Sequence, residues 1–340
     1  MTRHDLATLP KAELHLHLEA SMRPGTAAEL ADRHGRPMPP TGPFTGLGEF
    51  VHAYERARDL VGTLDDLHRI ARELVEEAAA QGVVWTEVHV FPPTYAGRLG
   101  PDEAVLEAVL EGLRAGSAAV GGASAAGVVL GVNRGLPMAA AERSLALAIR
   151  YRDAGVVALG LAGDEANHPA ERFTDVFARA RYAGLAAVPH GGEGAGAPSV
   201  RACVEALGAH RISHGVRAVE DPHLLTELAE RQICLDVCPT SNVQLSVVPS
   251  PARHPLPQLL AAGIPVSINS DGPLFTGSSL LQEYDLVRTH FTLDAPSVAT
   301  LAETSLRFSR CPADRRSRAL SALHAWLTED GGSCPKSAHI

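Results

Sequence analysis

Two histidines near the N-terminus occur at a spacing that suits metal chemistry. His15 and His17 are separated by one residue in a segment of alternating leucines. Side chains that alternate along a β-strand share a face, so both imidazoles point to one side and the leucines to the other. Two neutral imidazoles that converge at a strand end are typical of a zinc site, whereas two buried histidines without a metal are costly to satisfy. We therefore interpret this pair as metal ligands.

Further candidates for metal binding and proton transfer each follow a short apolar segment. His190 follows Ala-Ala-Val-Pro, His214 follows Arg-Ile-Ser, and Asp271 follows Val-Ser-Ile-Asn-Ser. Three imidazoles and one carboxylate from separate strand ends can hold one divalent ion. A carboxyl group close to them, such as Glu193, can transfer a proton. Together these residues predict a metal-dependent catalytic site.

The elements that would position these residues alternate along the chain. Short apolar segments alternate with Ala-rich segments of helical periodicity, which predicts repeated right-handed β-α-β units and a parallel sheet. Eight such strands in a chain of this length favour an α/β fold of the closed (β/α)8 barrel type over an open sheet, and catalytic residues of such barrels lie at the carboxyl ends of the strands. The predicted strands are Ala12–Leu18, Val83–Phe91, Gly127–Val132, Val156–Leu161, Ala186–His190, Arg211–His214, Ile233–Val237 and Pro265–Asn269. The predicted helices include Leu64–Gln81, Asp102–Ala119, Met138–Asp153 and Ala170–Ala183.

Two regions of the sequence are not needed for a minimal barrel. About 64 residues separate the first two predicted strands, which predicts extra helices and a loop that cap the mouth of the barrel. The C-terminal segment Glu329–Ile340 is polar and contains two consecutive glycines, which is typical of a loose tail. We therefore expect a single domain over residues 1–328 and a flexible tail over 329–340.

Composition limits the partners and the compartment. The 340 residues include 30 Lys and Arg against 39 Asp and Glu, a net charge of −9, which excludes a protein that binds a nucleic-acid backbone. The chain has no run of about 18 apolar residues and its N-terminus lacks an apolar signal core, so we expect no membrane span and a cytoplasmic location. Five cysteines without a CxxC pair agree with a reducing compartment. The sequence leaves open whether the protein is a monomer or a homo-oligomer.

The motifs resemble those of the adenosine deaminase family within the amidohydrolase superfamily. The resemblance runs in the expected order from about Leu9 to about Phe275. It rests on His15-Leu16-His17, Leu161-Ala162-Gly163-Asp164-Glu165, His190-Gly191-Gly192-Glu193, Ser213-His214-Gly215 and Ser270-Asp271.

The resemblance implies a metal site and a set of roles. One Zn²⁺ per chain would be bound by His15, His17, His190 and Asp271, although this donor set can also hold iron, manganese or cobalt. Glu193 would protonate N1 of a purine, and His214 would orient the attacking hydroxide. Gly163 would contact the substrate through its backbone. Asp271 is also basic enough to accept the proton of the water.

The sequence departs from the family pattern at positions that concern the substrate. Where the family usually has an acid three residues before the motif glycine and a second aspartate after the metal aspartate, this chain has Gly160 and Gly272. We expect these losses to leave space for a bulkier ring, and adenosine to be a poor substrate. Glu19, where adenosine-specific members tend to have aspartate, is more typical of the adenine and aminodeoxyfutalosine branches. His89 is a further candidate for lining the pocket.

The leading hypothesis is a zinc-dependent hydrolytic deaminase of an aminated purine nucleoside or purine-like base. Two alternatives remain open at this point. One is an aminodeoxyfutalosine or other modified-nucleoside deaminase or hydrolase, and the other is a non-catalytic binding protein on the same fold. The loop Gly192–Gly196 lacks the Lys-Ser/Thr of a phosphate-binding loop, and we interpret it as a flexible connection.

Overall fold

A barrel of eight parallel strands forms the centre of the computed structural model, which describes residues 5–328. Each strand is parallel to the next in sequence order. The barrel closes where Leu16 bridges Asp271. There the N–H of His17 donates to the Asp271 carbonyl and the N–H of Asp271 donates to the His15 carbonyl, both at 3.0 Å. The predicted (β/α)8 barrel is confirmed.

The strands are β1 (Lys11–His17), β2 (Val83–Val90), β3 (Ala125–Asn133), β4 (Val156–Ala162), β5 (Ala186–Gly191), β6 (Arg211–His214), β7 (Cys234–Val237) and β8 (Val266–Ile268). The helices are α1 (Pro24–His34), α2 (Leu47–Leu60), α3 (Leu64–Ala80), α4 (Asp102–Ala119), α5 (Met138–Tyr151), α6 (Thr174–Tyr182), α7 (Ala197–Glu205), α8 (Pro222–Glu230), α9 (Pro239–Gln244), α10 (Leu256–Ala261), α11 (Pro273–Thr276), α12 (Leu280–His290), α13 (Ala295–Phe308) and α14 (Ala313–Thr328). Short 3₁₀ turns lie at Glu19–Ser21, Pro92–Tyr95, Arg152–Ala154, Ala170–Phe173, Val216–Glu220 and Pro251–Arg253.

Every predicted strand forms, with ends displaced by at most two residues. The segments Met138–Asp153 and Ala170–Ala183, predicted as single helices, each contain an α-helix joined to a 3₁₀ turn. The predicted tail, Glu329–Ile340, lies outside the described residues. Among residues 5–328, no helix has the length and apolar character that crossing a bilayer requires.

The extra helices predicted after the first strand are α1 and α2, whereas α3 is the barrel helix between β1 and β2 and packs on α4 and β2. Helix α3 begins at a capping box, in which the Thr63 side chain accepts from the Asp66 N–H and the Asp66 carboxylate accepts from the Thr63 N–H. Helix α2 packs on the mouth of the barrel, where Phe50 makes an edge contact with Phe275 at 5.4 Å between ring centroids. The predicted cap over the mouth is therefore confirmed.

The barrel interior is a packed core, with paired charges and small apolar side chains. Arg211 donates to Glu87 at 2.7 Å and to Asp236 at 2.9 Å, and all three side chains are buried. A separate cluster inside the barrel contains Val129, Ala158, Ala186 and Val188. A filled interior leaves the carboxyl ends of the strands as the place for a site.

Candidate active site

Four imidazoles and a carboxylate meet at the carboxyl ends of four strands. His15 and His17 come from β1, His190 from β5 and His214 from β6, and Asp271 lies just beyond β8. The His15 ring lies 4.7 Å from that of His190 and 4.6 Å from that of His214, measured between centroids. All five side chains are buried. The structure thus brings together the residues that the sequence predicted as ligands and catalytic groups.

Three separations between donor atoms of this cluster match those of neighbouring ligands on one metal ion. Asp271 Oδ1 lies 3.4 Å from His15 Nε2 and 3.5 Å from His17 Nε2, and His17 Nε2 lies 3.2 Å from His190 Nε2. Ligand bonds of about 2.0–2.1 Å at tetrahedral angles place neighbouring donors about 3.3 Å apart. His15 Nε2 is buried and has no hydrogen-bond partner. The residues therefore fit one divalent ion with nitrogen and oxygen ligands.

Groups behind the cluster turn its donor atoms toward the centre. His15 Nδ1 lies 3.4 Å from the Asp236 carbonyl, which directs Nε2 to the site. The Ser241 hydroxyl donates to Asp271 Oδ2 at 2.5 Å and leaves Oδ1 facing the imidazoles. Such outer hydrogen bonds fix the orientation of metal ligands.

Burial sets the protonation of the cluster. It lowers the pKa of His17 to about 4 and that of His214 to about 3, so both rings are neutral at pH 7. Burial alone would raise the pKa of the Asp271 carboxyl, but the neighbouring imidazoles, His15 first, outweigh it and hold that pKa below its usual range. Neutral imidazole lone pairs and an ionised carboxylate are the forms that bind a metal.

Glu193 is a buried carboxyl beside this cluster. Its Oε1 lies 3.3 Å from His214 Nε2. Burial raises the pKa of Glu193 well above its usual value, and the charges of Asp271 and Glu165 raise it further. A carboxyl group that stays protonated near pH 7 can act as a general acid.

A chain of hydrogen bonds assigns the tautomer of His214. The N–H of Leu256 donates to His254 Nδ1 at 3.1 Å, so the proton of the neutral His254 ring is on Nε2. This nitrogen lies 3.2 Å from Asn242 Oδ1, and Asn242 Nδ2 lies 3.0 Å from His214 Nδ1. Because His214 Nδ1 accepts, its proton is on Nε2, which faces Glu193 and the site.

A cavity opens onto the cluster from the mouth of the barrel. It holds about 630 Å³ of space between atoms, part of it open to solvent. One wall belongs to α2 and is largely apolar, and the rest of the lining includes Gly163, Glu193 and the metal-site candidates. The lining residues are His17, Leu47, Phe50, Val51, Tyr54, Glu55, Arg58, Phe91, Thr94, Asn133, Ala162, Gly163, His190, Glu193, His214 and Asp271.

The space expected at the two unusual glycines does not exist. A Cβ on Gly160 would lie 2.9 Å from Val129 Cγ1 and 3.1 Å from His89 Nδ1, and one on Gly272 would lie 3.1 Å from Ala20 Cβ. Neither glycine lines the cavity. The expectation that their missing carboxyls enlarge the pocket was wrong, because neighbouring side chains fill both positions.

Two other residues predicted to line the pocket lie behind its wall. Both carboxylate oxygens of the buried Glu19 accept hydrogen bonds from tyrosine hydroxyls, one from Tyr54 and one from Tyr95. The His89 ring stacks on the His17 ring at 4.9 Å, and neither of its nitrogens has a hydrogen-bond partner. Of the five predicted substrate contacts, only Gly163 lines the cavity.

Sequence reasoning missed three residues that organise the site. Ser241 and Asn242, to which the sequence analysis assigned no role, form hydrogen bonds to Asp271 and His214. Glu165 ends the motif Leu161-Ala162-Gly163-Asp164-Glu165, in which a role is predicted for Gly163 alone. The structure buries it against the loop that carries Glu193.

A (β/α)8 barrel with these donors at its strand ends defines the amidohydrolase type of metal-dependent enzyme. The family model described as Adenosine deaminase matches residues 10–326. A putative adenosine/adenine deaminase of Streptomyces virginiae is 41% identical over 335 residues, which cover 95% of this chain and 98% of the relative. This chain belongs to the adenosine deaminase family.

Two solved structures agree with this assignment. The adenine deaminase from Arthrobacter aurescens superimposes with a TM-score of 0.87 at 30% identity, covering 94% of this chain and 99% of that one. An amidohydrolase from Burkholderia ambifaria with bound Zn has a TM-score of 0.82 at 25% identity, covering 94% and 91%.

Proposed function

We propose that this protein is a zinc-dependent hydrolytic deaminase of an aminated purine, with the free base adenine as its preferred substrate. The observation that carries the proposal is the donor cluster with separations that suit metal ligands, with the buried acid Glu193 beside it at the end of a cavity. The names of its relatives, an adenosine/adenine deaminase and an adenine deaminase, support the purine class.

His15, His17, His190 and Asp271 would hold the ion. When bound, a zinc ion lowers the pKa of a water molecule toward neutrality and so supplies a nucleophile at pH 7. Imidazole and carboxylate donors also suit iron, manganese and cobalt, so the identity of the metal as zinc is part of the proposal.

The residues around the cluster supply the proton transfers. Asp271 is ionised and accepts the proton of the attacking water. The protonated Glu193 donates its proton to the purine ring nitrogen beside the carbon under attack, where negative charge develops. The Nε2–H of His214 stabilises charge on the attacking oxygen. Asp271 passes the proton it accepted to the amino group, which leaves the tetrahedral carbon as ammonia, and the remaining hydroxyl proton restores Glu193. The backbone of Gly163 holds the ring edge.

The preference for a free base rests on Glu19. In adenosine-specific members the acid at this position lies near the ribose. Here both oxygens of Glu19 are bonded to the tyrosines, so the carboxylate has no free oxygen to offer a sugar. The apolar face of α2, with Leu47, Phe50 and Val51, covers the same side of the cavity. We therefore retain the hypothesis that adenosine is a poor substrate, for this reason and not because of space at the glycines.

The test is release of ammonia by metal-loaded protein from a panel of amines. The panel contains adenine, adenosine, deoxyadenosine, a 5′-modified adenosine, aminodeoxyfutalosine and an N6-substituted adenine. We expect adenine to have the highest kcat/KM, and Glu193→Gln to lower it by about 100- to 10,000-fold at unchanged metal content. Asp164→Asn, which changes an exposed carboxylate, is the control and should retain activity.

Each other outcome selects an alternative. Turnover of aminodeoxyfutalosine or the 5′-modified adenosine in preference to adenine would assign the protein to modified nucleosides. Metal binding without ammonia release from any compound would favour another hydrolytic reaction or a non-catalytic binding protein. Equal turnover of adenosine and adenine would refute the role given to Glu19.

A further inference from the structure

The carboxylate of Glu165 accepts hydrogen bonds from four consecutive backbone N–H groups. Glu165 lies just beyond β4 and is 3% exposed, whereas its neighbour Asp164 is exposed. Its Oε1 accepts from Gly192 at 2.6 Å, and its Oε2 accepts from Glu193 at 3.1 Å, Gly194 at 2.6 Å and Ala195 at 3.1 Å. The loop after β5 therefore wraps around an anion that the protein itself supplies.

Two glycines allow the loop to wrap this closely. Gly192 has φ +71°, the left-handed region, and a Cβ on it would lie 2.5 Å from Val200 Cγ2. A Cβ on Gly194 would lie 2.7 Å from Leu47 Cδ2. Successive N–H groups in such a turn form a concave site for an anion. The loop predicted as flexible is thus pinned, and its anion site is filled by Glu165.

The bonded segment contains the candidate acid. The N–H of Glu193 donates to the Glu165 carboxylate, and the Glu193 side chain lies beside His214. The Glu165 carboxylate therefore fixes the backbone from which the acid extends. The metal-ligand candidate His190 is held separately, because the guanidinium of Arg134 donates to its carbonyl and to that of His168. The two ends of this short segment therefore have different anchors.

We infer that Glu165 is a positioning residue for Glu193, and that its carboxylate holds the acid where it meets the ring nitrogen of the substrate. The role rests on the proposed function. It predicts that loss of the carboxylate harms proton delivery much more than metal binding or substrate binding.

The variant that tests the inference is Glu165→Gln. Glutamine has the same shape, but its amide NH₂ must face a backbone N–H, so the loop cannot keep all four bonds. We expect kcat to fall by about 10- to 100-fold, with KM within about threefold and the metal content unchanged. Asp164→Asn is the matched control and should retain wild-type kinetics, because that exposed carboxylate bonds Asn167 alone within residues 5–328.

A double mutant separates positioning from general damage. If Glu165 acts through Glu193, Glu165→Gln should lower the residual activity of Glu193→Gln by less than about twofold. A multiplicative loss in the double mutant, or wild-type kcat in Glu165→Gln, would overturn the inference. So would a loss of kcat that is accompanied by a proportional loss of metal.

Hydrogen exchange tests the contact between Glu165 and the loop without an activity assay. In the wild-type protein, the amides of Gly192–Ala195 should exchange much more slowly than in an unstructured peptide of the same sequence. Unprotected exchange would overturn the inference even if the variant does not fold. If the wild-type protein releases no ammonia from any compound, the proposed function fails, while slow exchange would still support the anchoring of the loop.

Discussion

At the scale of single residues, backbone conformation aims two of the key side chains. His214 has φ +66° and Asp271 has φ +61°, and among residues 5–328 only five residues other than glycine have positive φ. The left-handed region is unfavourable for residues with a Cβ and is concentrated at functional sites. In both cases it bends the chain at the end of a strand and turns the side chain across the barrel mouth. The conformational cost there is part of building the site.

Removal of either tyrosine hydroxyl from Glu19 should destabilise the protein. Tyr54→Phe and Tyr95→Phe each leave one oxygen of a buried carboxylate without its partner, which costs about 1–3 kcal/mol of unfolding free energy. Only Tyr54 lines the cavity, so only Tyr54→Phe should also change the KM for adenine. Denaturant unfolding and steady-state kinetics measure the two effects. Identical KM changes in both variants would contradict the assignment of Tyr54 to the cavity wall.

The residues that the sequence could identify were those with a local signature. His15 and His17 stand out through alternation, and Asp271 through its place after an apolar segment. The surroundings of Gly160 and Gly272 could not be predicted in the same way. What fills the space beside them comes from distant parts of the chain, Val129 and His89 at Gly160 and Ala20 at Gly272, and only tertiary packing brings such neighbours together.

At the scale of elements, α9 provides the hydrogen bond that orients His214. Replacement of Asn242 by leucine removes the group that bonds His214 Nδ1. The ring can then adopt the other tautomer, with a lone pair instead of a proton facing the attacking oxygen. We expect kcat to fall by about 10- to 100-fold at unchanged metal content.

The same relay predicts a graded series. His254→Leu leaves Asn242 in place but removes the hydrogen bond that orients the Asn242 amide. The loss of kcat in His254→Leu should therefore be smaller than that in Asn242→Leu. Spectra of protein with ¹⁵N-labelled histidine report which ring nitrogen of His214 carries the proton. Full kcat in Asn242→Leu, or a proton on Nδ1 in the wild-type protein, would refute the relay.

The elements themselves were largely predictable because their signals are local. Alternation of apolar strands with helical segments identified all eight strands of the barrel. The pinned loop at Gly192–Ala195 was not predictable, since its conformation depends on Glu165 at the end of a different strand. Hydrogen bonds between backbone groups and a distant side chain leave no periodic pattern in the sequence.

At the scale of the whole molecule, the metal site and the core are distinct. The core surrounds the barrel and includes buried side chains from the strands and helices, whereas the donor cluster lies at one end. We therefore expect chelator-treated protein to remain folded, with a lower Tm than metal-loaded protein, because an ion that binds only the folded state stabilises it. Melting curves after reloading with zinc, manganese, cobalt or iron would rank the metals.

The pH dependence of this stabilisation follows from His17. Its pKa in the folded protein is lowered by burial to about 4, so protons do not compete with the metal for this ring at neutral pH. The increase in Tm on adding metal should stay nearly constant from pH 8 to about 5 and decrease toward pH 4. A steep decrease near pH 6.5, the usual pKa of histidine, would show that the ring is exposed in the metal-free protein.

The lining of the cavity comes partly from the barrel and partly from one helix outside it, which has an evolutionary consequence. The donor atoms come from strand ends, which the barrel hydrogen bonds hold in fixed register, and the acid comes from the loop that Glu165 holds. Six of the sixteen lining residues, in contrast, come from one helix, α2. Mutations on that helix can alter which amine fits without disturbing the groups that break its C–N bond. A few substitutions on α2 can therefore change which substrate such a protein prefers. Relatives that catalyse the same reaction can in this way come to differ in their substrates.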